Sequence, residues 1–448
     1  MRLLIISPSW LPTTWGGGRT LTPPMALPVL ASLTPSDAKI HLVDEHVEDV
    51  DLNEEADLVA LSFMTAAAPR AYEIADHFRE RQIPVVMGGM HPSALPDEAA
   101  RHADAVIVGE AELQWGEVLS DFAAGHLKPH YEAQHRPELA GLPIPRRDLL
   151  RTGKYLVPNL VQTARGCPHA CTFCSVTPVF GRRYRFRPVD EVIEEVRSLG
   201  SRSIGFIDDN IVAFPRRAKE LFEALMPMKL QWAGQGDLSM ADDPEMLDLM
   251  RRSGCIGMFI GIESISQDSL VASRKRPNIG IDTEAAVRAI HKHGIDIVGS
   301  FVFGLDPDTV EGCRATVDFA LRMKLAAAQF AVLTPFPGTP VYDQLLSEGR
   351  ITNADWSRYT MGSVVFRPMN MTVQQLEEAR VYAQRRFYSL HSIARRMLVW
   401  RGGRPKYVMR AAVNFSYRRL HRGGTIWSHV PHDGAIAPVS SPVPAERA

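Results

Sequence analysis

Three cysteines carry the strongest chemical signal in the chain. Residues 163–175 read Thr-Ala-Arg-Gly-Cys-Pro-His-Ala-Cys-Thr-Phe-Cys-Ser, so Cys167, Cys171 and Cys174 stand in a CxxxCxxC spacing with Phe173 directly before the last. Thiolates are soft ligands, suited to zinc or to iron–sulfur clusters. A structural zinc site normally closes its tetrahedron with four protein ligands, and no fourth Cys lies nearby. A zinc knuckle would need His169, whose place inside the Cys167/Cys171 loop gives poor tetrahedral reach. A [4Fe–4S] cluster held by three thiolates instead leaves one iron open to a small-molecule ligand. A disulfide reading is weaker still, because Cys255 and Cys313, the two other cysteines, sit in apolar segments where a lone Cys is a small core residue.

The stretch resembles the signature of the radical S-adenosylmethionine (SAM) enzymes. The resemblance implies that the open iron chelates the amino and carboxylate groups of SAM, and that reduction of the cluster cleaves the sulfonium to a 5'-deoxyadenosyl radical. It also places Phe173 in the SAM environment.

Such a loop needs a scaffold, and residues 159–349 carry the pattern of one. Strand-like runs at 160–163, 203–207, 230–233, 257–262, 296–303 and 329–333 alternate with helical patterns at 189–198, 216–226, 244–253, 282–293 and 310–323. Six such units predict a partial (βα)6 barrel of TIM type, with its chemistry at the carboxyl ends of the strands. The cysteine loop follows the first strand. The resemblance assigns the later strand ends to SAM: Asp208, Asp209 and Asn210 after the second, Gln235 on the third, Gly261 and Glu263 on the fourth, Ser300 and Gly304 on the fifth. A carboxylate at Glu263 suits ribose hydroxyls, and glycines on the fifth strand would let adenine lie against it. The match after the second strand rests on position, since the usual GGE-like residues are absent. Residues 335–340, Pro-Phe-Pro-Gly-Thr-Pro, resemble the PFPGTP stretch of the radical SAM subgroup that carries a cobalamin-binding domain. Taken singly, these acids and glycines also suit caps, turns and packing; their succession at strand ends favours the site. Lys275 and Arg276 read as a solvated basic pair rather than as partners of the SAM carboxylate.

Residues 1–124 alternate apolar runs at 3–6, 40–43, 58–61, 84–87 and 105–108 with helical patterns at 69–81, 92–102 and 112–122. This α/β alternation predicts a doubly wound, Rossmann-like parallel sheet that binds ligands at its strand ends. Ser62, Met64 and Thr65, followed by Gly88 and Gly89, resemble the serine loop and glycine pair that surround the nucleotide tail of vitamin B12 in cobalamin-binding domains. A small hydroxyl can hydrogen-bond the tail's base, and paired glycines let the tail pass close to the backbone. His91, Gly109 and Glu110 fall at neighbouring strand ends and join the implied cobalamin set, although His91 also suits a helix start beside Pro92. The DxHxxG motif that ligates cobalt is absent after the first strand, where residues 8–11 read Pro-Ser-Trp-Leu. Asp44-Glu-His46 follows the second strand and has Asp49 where the motif needs Gly, so His46 reads as a surface residue. No protein His is expected on the lower face of cobalamin.

The remaining composition bounds the answer. The 448 residues carry a net charge of −1, which suits two or three domains and gives no pull toward nucleic acid. Five cysteines without a secretory leader predict a reducing cytoplasm. No apolar run reaches the roughly 18 residues that a membrane-spanning helix needs. Residues 125–158 read as a Pro-rich linker. Residues 350–433 read as a helical extension, helical from 372 to 399, with many Arg and no acidic residue between 380 and 422. That face predicts a cap on the barrel, ahead of peripheral contact with an anionic bilayer or binding of an acidic or lipidic substrate. Residues 434–448 read as a disordered tail.

The whole resembles the cobalamin-binding-domain radical SAM family. The activity implied is cobalamin-dependent methylation of an unactivated carbon in a small-molecule or lipid-like substrate: the radical abstracts hydrogen and the substrate radical takes methyl from methylcobalamin. A flavodoxin- or ferredoxin-type donor would supply electrons. The alternatives are an anaerobic radical cyclase or rearrangement enzyme of the same family and, from a different class, a cobalamin-binding sensor, which has no need of the cysteine triad. A methylthiotransferase would need a second Cys set in the first domain. No residue is singled out as acting on the substrate.

Overall fold

The computed structural model describes residues 1–10, 20–398, 407, 410, 411, 413–415, 417 and 418. The expected tail, 434–448, lies outside them.

The first sheet comprises β1 (Arg2–Ser7), β2 (Lys39–Asp44), β3 (Leu58–Ser62), β4 (Val85–Gly88), β5 (Ala105–Val108) and β6 (His130–Glu132), all parallel in the order 2-1-3-4-5-6. Its strands are buried on both faces, hence their unbroken apolar runs. Leu4, Ile6, Val59 and Leu61 pack on one side with Ile74 and Phe78 of the helix Ala68–Glu80. Leu3, Ile5 and Leu58 pack on the other with Leu27 and Trp115. Two features escaped the sequence pattern. β6 lies in the stretch read as linker, and the helix Ala26–Ser32 carries Pro28 in its first turn, where the missing N–H breaks no intrahelical bond. The expected helix 92–102 is split into Met90–Ala94 and Pro96–Ala99, because Pro96 removes a donor and forces Leu95 to φ −132° and ψ 64°.

The second sheet starts with β7 (Leu160–Val161). A two-stranded antiparallel hairpin, β8 (Ala164–Arg165) and β9 (Arg185–Phe186), then brackets the cysteine loop. β10 (Ser203–Phe206), β11 (Gln231–Gly236), β12 (Cys255–Glu263), β13 (Asp296–Phe303) and β14 (Ala327–Val332) continue the sheet in the order 14-13-12-11-10-7, an open six-stranded parallel wall. Burial alternates along it: Met258, Ile260 and Ile262 of β12 are buried under helices, whereas Phe259 and Gly261 are half-buried on the concave face. Val298, Ser300 and Val302 continue that face on β13. Register places Gly261, Ser300 and Gln329 side by side, with Gln235, Phe259 and Val298 in the row before.

The C-terminal helix Val373–Phe387 opens with a capping box of Thr372 and Gln375, without help from Glu377 or Glu378. It runs antiparallel to β14: its neighbour Tyr388 donates its hydroxyl to the Ala328 carbonyl at 2.7 Å. Beyond it, the Arg396 guanidinium lies 3.9 Å from the Phe387 ring centroid and donates to the Ala326 carbonyl at 3.0 Å. Arg410 pairs with Asp296 at 2.6 Å. Asp296 and Ala326 mark the amino ends of β13 and β14, so these arginines close the barrel floor, away from the strand ends that carry the site. They are buried as parts of a cap. No helix among the described residues is long and apolar enough to cross a membrane.

Candidate functional site at the facing strand ends

The cysteine loop is held by its backbone. Gly166 has φ +89°, and a Cβ there would collide with the Arg183 carbonyl oxygen, so only glycine fits before Cys167. The Cys167 N–H donates to the Gly181 carbonyl at 3.2 Å and the Cys174 N–H to the Cys171 carbonyl at 3.2 Å. The Thr172 N–H donates to the Ser273 carbonyl at 3.0 Å, and its own carbonyl accepts from the Val341 N–H at 3.0 Å. Cys171 is buried, Cys167 and Cys174 are half-buried, and all three are free thiols. Burial pushes the Cys167 thiol up to about 11 and the Cys171 thiol up to about 12; Cys174 is also raised by burial. Each thiol is raised further by at least one neighbouring cysteine or carboxylate and lowered by Lys275. Such a set ionises readily only when a cationic centre joins it, and thiolate-bound iron supplies one.

No three His, Cys, Asp or Glu among the described residues form a single-ion site. Thiols that take separate corners of a cubane need not meet at one point, whereas a zinc knuckle must. His169 is directed elsewhere, its Nε2 being 3.4 Å from Asp237 Oδ2. The cysteine chemistry fits the iron–sulfur cluster, and His169 is paired with Asp237 rather than with the thiols.

The residues expected around SAM divide into two groups. Asp208 is fully buried and accepts from the Thr163 N–H at 2.7 Å, the Thr163 hydroxyl at 3.1 Å and the Ala164 N–H at 2.5 Å. Its carboxylate therefore fixes the exit of β7 into the cluster loop instead of reaching a ligand. Asn210 donates to Asp237 at 2.6 Å, and its buried Oδ1 has no partner among the described residues. Asp209 makes no side-chain hydrogen bond or ion pair among the described residues; burial, then Asp208, pushes its carboxyl up to about 7. It lies near enough to Cys167 and Cys174 to raise both thiols. Gly304, expected to line adenine, faces Leu376 and Phe366 at φ +96°, where a Cβ would stand 2.8 Å from Leu376 Cδ2. It is a packing glycine. Phe173 packs against the barrel core. Gln235, Gly261 and Ser300 stay on the concave wall.

Glu263 is at φ +64° at a register shift between β12 and β13, a conformation that L residues adopt at a cost of about 1–3 kcal/mol and that clusters at functional sites. Its Oε1 accepts from Lys275 Nζ at 3.0 Å, with the side chains only 9% and 13% exposed. The reading of Lys275 as solvated is thereby corrected; Arg276 is exposed as expected. Burial works to lower the Lys275 pKa, but Glu263 and Cys171 outweigh it and the ammonium is held charged. A Cβ on Gly261 would collide with Glu263 Oε1 and Lys275 Nζ, so glycine keeps room for this pair. Asn278, unnoticed in the sequence because its loop has no periodicity, donates to the Gly261 carbonyl at 2.8 Å and the Ile262 carbonyl at 3.0 Å.

In the first domain, Ser62 stands beside Gly88 in register. Gly89 has φ +101°, and a Cβ there would stand 2.7 Å from the Phe63 carbonyl oxygen and 3.2 Å from Ser62 Oγ. Gly109, at φ +85°, has open space within 4 Å of its Cβ position. Ser93, another residue the sequence did not single out, joins these ends: its hydroxyl donates to the Gly89 carbonyl at 2.7 Å and accepts from the Gly109 N–H at 2.9 Å. Met64 is exposed and Thr65 buried. This side-chain-poor edge fits a ligand that must approach the backbone, as a cobalamin tail does.

Two expected members are otherwise engaged. His91 is fully buried, with Nε2 3.1 Å from the Tyr72 hydroxyl and 3.4 Å from Glu98, and its ring centroid 5.4 Å from that of Trp356. Glu110 pairs with Arg165 at 2.8 Å and Arg185 at 2.5 Å, and Glu112 also pairs with Arg165. His46 Nδ1 sits 2.9 Å from Asp44.

The two edges meet directly. The Ser175 hydroxyl, beside the last cluster cysteine, is 3.7 Å from Met90 Sδ, and a Cβ on Gly338 would lie 3.5 Å from Ala94 Cβ. A glycine-lined sheet edge set against a three-thiol loop at the mouth of an open barrel defines a two-cofactor enzyme, one site per domain.

The comparisons with known proteins agree. Residues 161–320 match the radical SAM superfamily and residues 23–119 the B12 binding domain. The chain is 33% identical over 388 residues to a bacteriochlorophyllide d C-12(1)-methyltransferase of Chlorobaculum tepidum, covering 84% of each chain. It is 33% identical over 357 residues to the C-8(2)-methyltransferase of the same organism, covering 75% of this chain and 78% of that one. The fold matches that of the radical SAM methyltransferase TsrM from Kitasatospora setae, solved with cobalamin and a [4Fe–4S] cluster, with a TM-score of 0.64, 19% identity and coverage of 87% and 86%. The chain belongs to the cobalamin-dependent radical SAM methyltransferase family, and its cofactors are a [4Fe–4S] cluster, SAM and cobalamin.

Proposed function

We propose that this enzyme methylates an unactivated carbon on the predominantly apolar part of a small-molecule or lipid-like substrate. The observation that carries the reading is the concave wall between the two strand-end sites. Gln235, Phe259, Val298, Ser300, Val302 and Gln329 give it amide, hydroxyl and apolar surface without a formal charge. An ionic substrate group placed there would lose hydration with no counter-charge. Two relatives named as bacteriochlorophyllide d methyltransferases support a substrate whose bulk is a large ring system.

When bound, the cofactors supply a carbon radical from SAM and a transferable methyl group. The chain's own residues hold and orient. Cys167, Cys171 and Cys174 ligate the cluster. Asp209 would meet the SAM ammonium, Lys275 the SAM carboxylate, and the second oxygen of Glu263 the ribose hydroxyls. Ser62, Gly88, Gly89 and Gly109 cradle the cobalamin tail, with Met64 and Thr65 beside it. The barrel and the first domain together exclude water from the space between.

The test is transfer of label from methyl-labelled SAM by the anaerobically reconstituted enzyme, offered a chlorin, a triterpenoid lipid and a phosphorylated metabolite in parallel. Label entering the chlorin or the lipid supports the reading. Label entering only the phosphorylated compound contradicts it.

A further inference from the structure

The flanks of the cysteine loop are not equally covered. Thr172 is bonded to Ser273 on one side and to Val341 on the other. Ser175 abuts Met90 of the first domain. The base of the hairpin is closed by Glu110 and Arg185, whose side chains are 1% and 2% exposed. The remaining flank is the turn at Gly181, Arg182 and Arg183, where both arginines are exposed. This turn is one hydrogen bond from the first cysteine, since the Gly181 carbonyl accepts the Cys167 N–H at 3.2 Å.

A third cation joins it. Arg136 donates to the Val179 carbonyl at 3.1 Å and the Pro178 carbonyl at 3.2 Å, and its guanidinium lies across Gly181. Its partners are neutral and it is exposed, so its charge is left to solvent. Arg182 makes no ion pair among the described residues. Among the described residues Arg183 pairs only with Glu138, at 3.3 Å with side chains 79% and 66% exposed, a contact of the kind that contributes little and yields readily to a competitor. In a chain of net charge −1, three adjoining arginines beside the turn that bonds the first cluster cysteine form a distinct local field.

We propose that Arg136, Arg182 and Arg183 form the landing surface for an acidic protein that donates single electrons to the cluster. Each reductive opening of the sulfonium consumes one electron; the partner's flavin or iron–sulfur centre loses it and the cluster site of this chain receives it. Charge complementarity at such a patch steers encounter and orients the donor's redox centre toward the Cys167 side of the loop. Glu138 is the group the donor's carboxylates would displace.

The probe is a purified acidic flavodoxin, titrated into the reconstituted holoenzyme by calorimetry across a salt series. The test variant carries Arg182→Glu with Arg183→Glu. The control carries Arg251→Glu with Arg252→Glu, the same charge change on two residues 55% and 52% exposed on the helix before β12. The expected result is at least about a tenfold weaker flavodoxin affinity at low salt and a flattened salt dependence in the test variant, with the control within about twofold of the parent. The cluster's EPR signal after chemical reduction with dithionite should be the same in all three, which separates donor docking from cluster assembly. Unchanged affinity in the test variant, or equal loss in the control, overturns the proposal.

Discussion

Cys171 and Lys275 show how the site is balanced at the residue scale. Three neighbouring thiols, one buried and two half-buried, repel one another once ionised, and Lys275 is a cation that tempers them from within the protein. Removing Cys171 leaves two thiolates, too few to hold a cluster with one open corner. Cys171→Ala should lose the iron–sulfur absorption and fall to background in 5'-deoxyadenosine formation, read by chromatography after anaerobic reduction. Lys275 has a different task. Lys275→Met should retain the cluster and weaken SAM binding by about 1.5–3 kcal/mol, the range for a charge-assisted hydrogen bond, or about tenfold to a hundredfold in Kd. Equal SAM affinity in the variant would leave Lys275 as a partner of Glu263 alone. The cysteines were legible because their spacing is local. The pairing of Lys275 with Glu263 was not, because it depends on the turn that carries residue 275 back across the end of β12.

At the scale of elements, glycines with positive φ decide where loops pass. Gly89→Ala would place a methyl 2.7 Å from the Phe63 carbonyl oxygen at the edge proposed to cradle cobalamin. The expected outcome is reconstituted protein that retains its cluster spectrum but binds cobalamin about fivefold to a hundredfold more weakly, following a strain of about 1–3 kcal/mol. Strands were read well from sequence where burial on both faces left an apolar run, as in β1 and β3, or where alternation marked a concave wall, as in β13. β6 was missed because its three residues, His-Tyr-Glu, bury only Tyr131. The helix from Pro92 was read too long because one proline at its start draws the eye and a second, Pro96, ends it. Asp208 and Glu110 illustrate the other limit: the sequence places a carboxylate at a strand end but does not reveal that backbone N–H groups or arginines from another segment already occupy it.

At the scale of the molecule, the first domain and the barrel are joined by buried ion pairs at the base of the cluster hairpin. Glu110 accepts from Arg165 and Arg185, and the Glu110 side chain is only 1% exposed. Removing one partner of such a network leaves buried charge uncompensated, at a cost of about 3–5 kcal/mol. Glu110→Gln should therefore lower Tm markedly, as read by calorimetry on the holoenzyme. The arrangement also fixes which surfaces face each other: Met90 and Ala94 of the first domain lie against Ser175 and Gly338 of the barrel. The account holds that the two cofactor sites share one cleft across this contact. EPR of the anaerobically reconstituted protein, with its cluster reduced and its cobalamin in the paramagnetic Co(II) state, tests this most directly. Mutual broadening of the cluster and cobalt signals, lost in Gly89→Ala as cobalamin leaves, is the predicted result. Two unperturbed signals in the parent protein, or a parent protein that assembles its cluster fully and takes up no cobalamin, would contradict it.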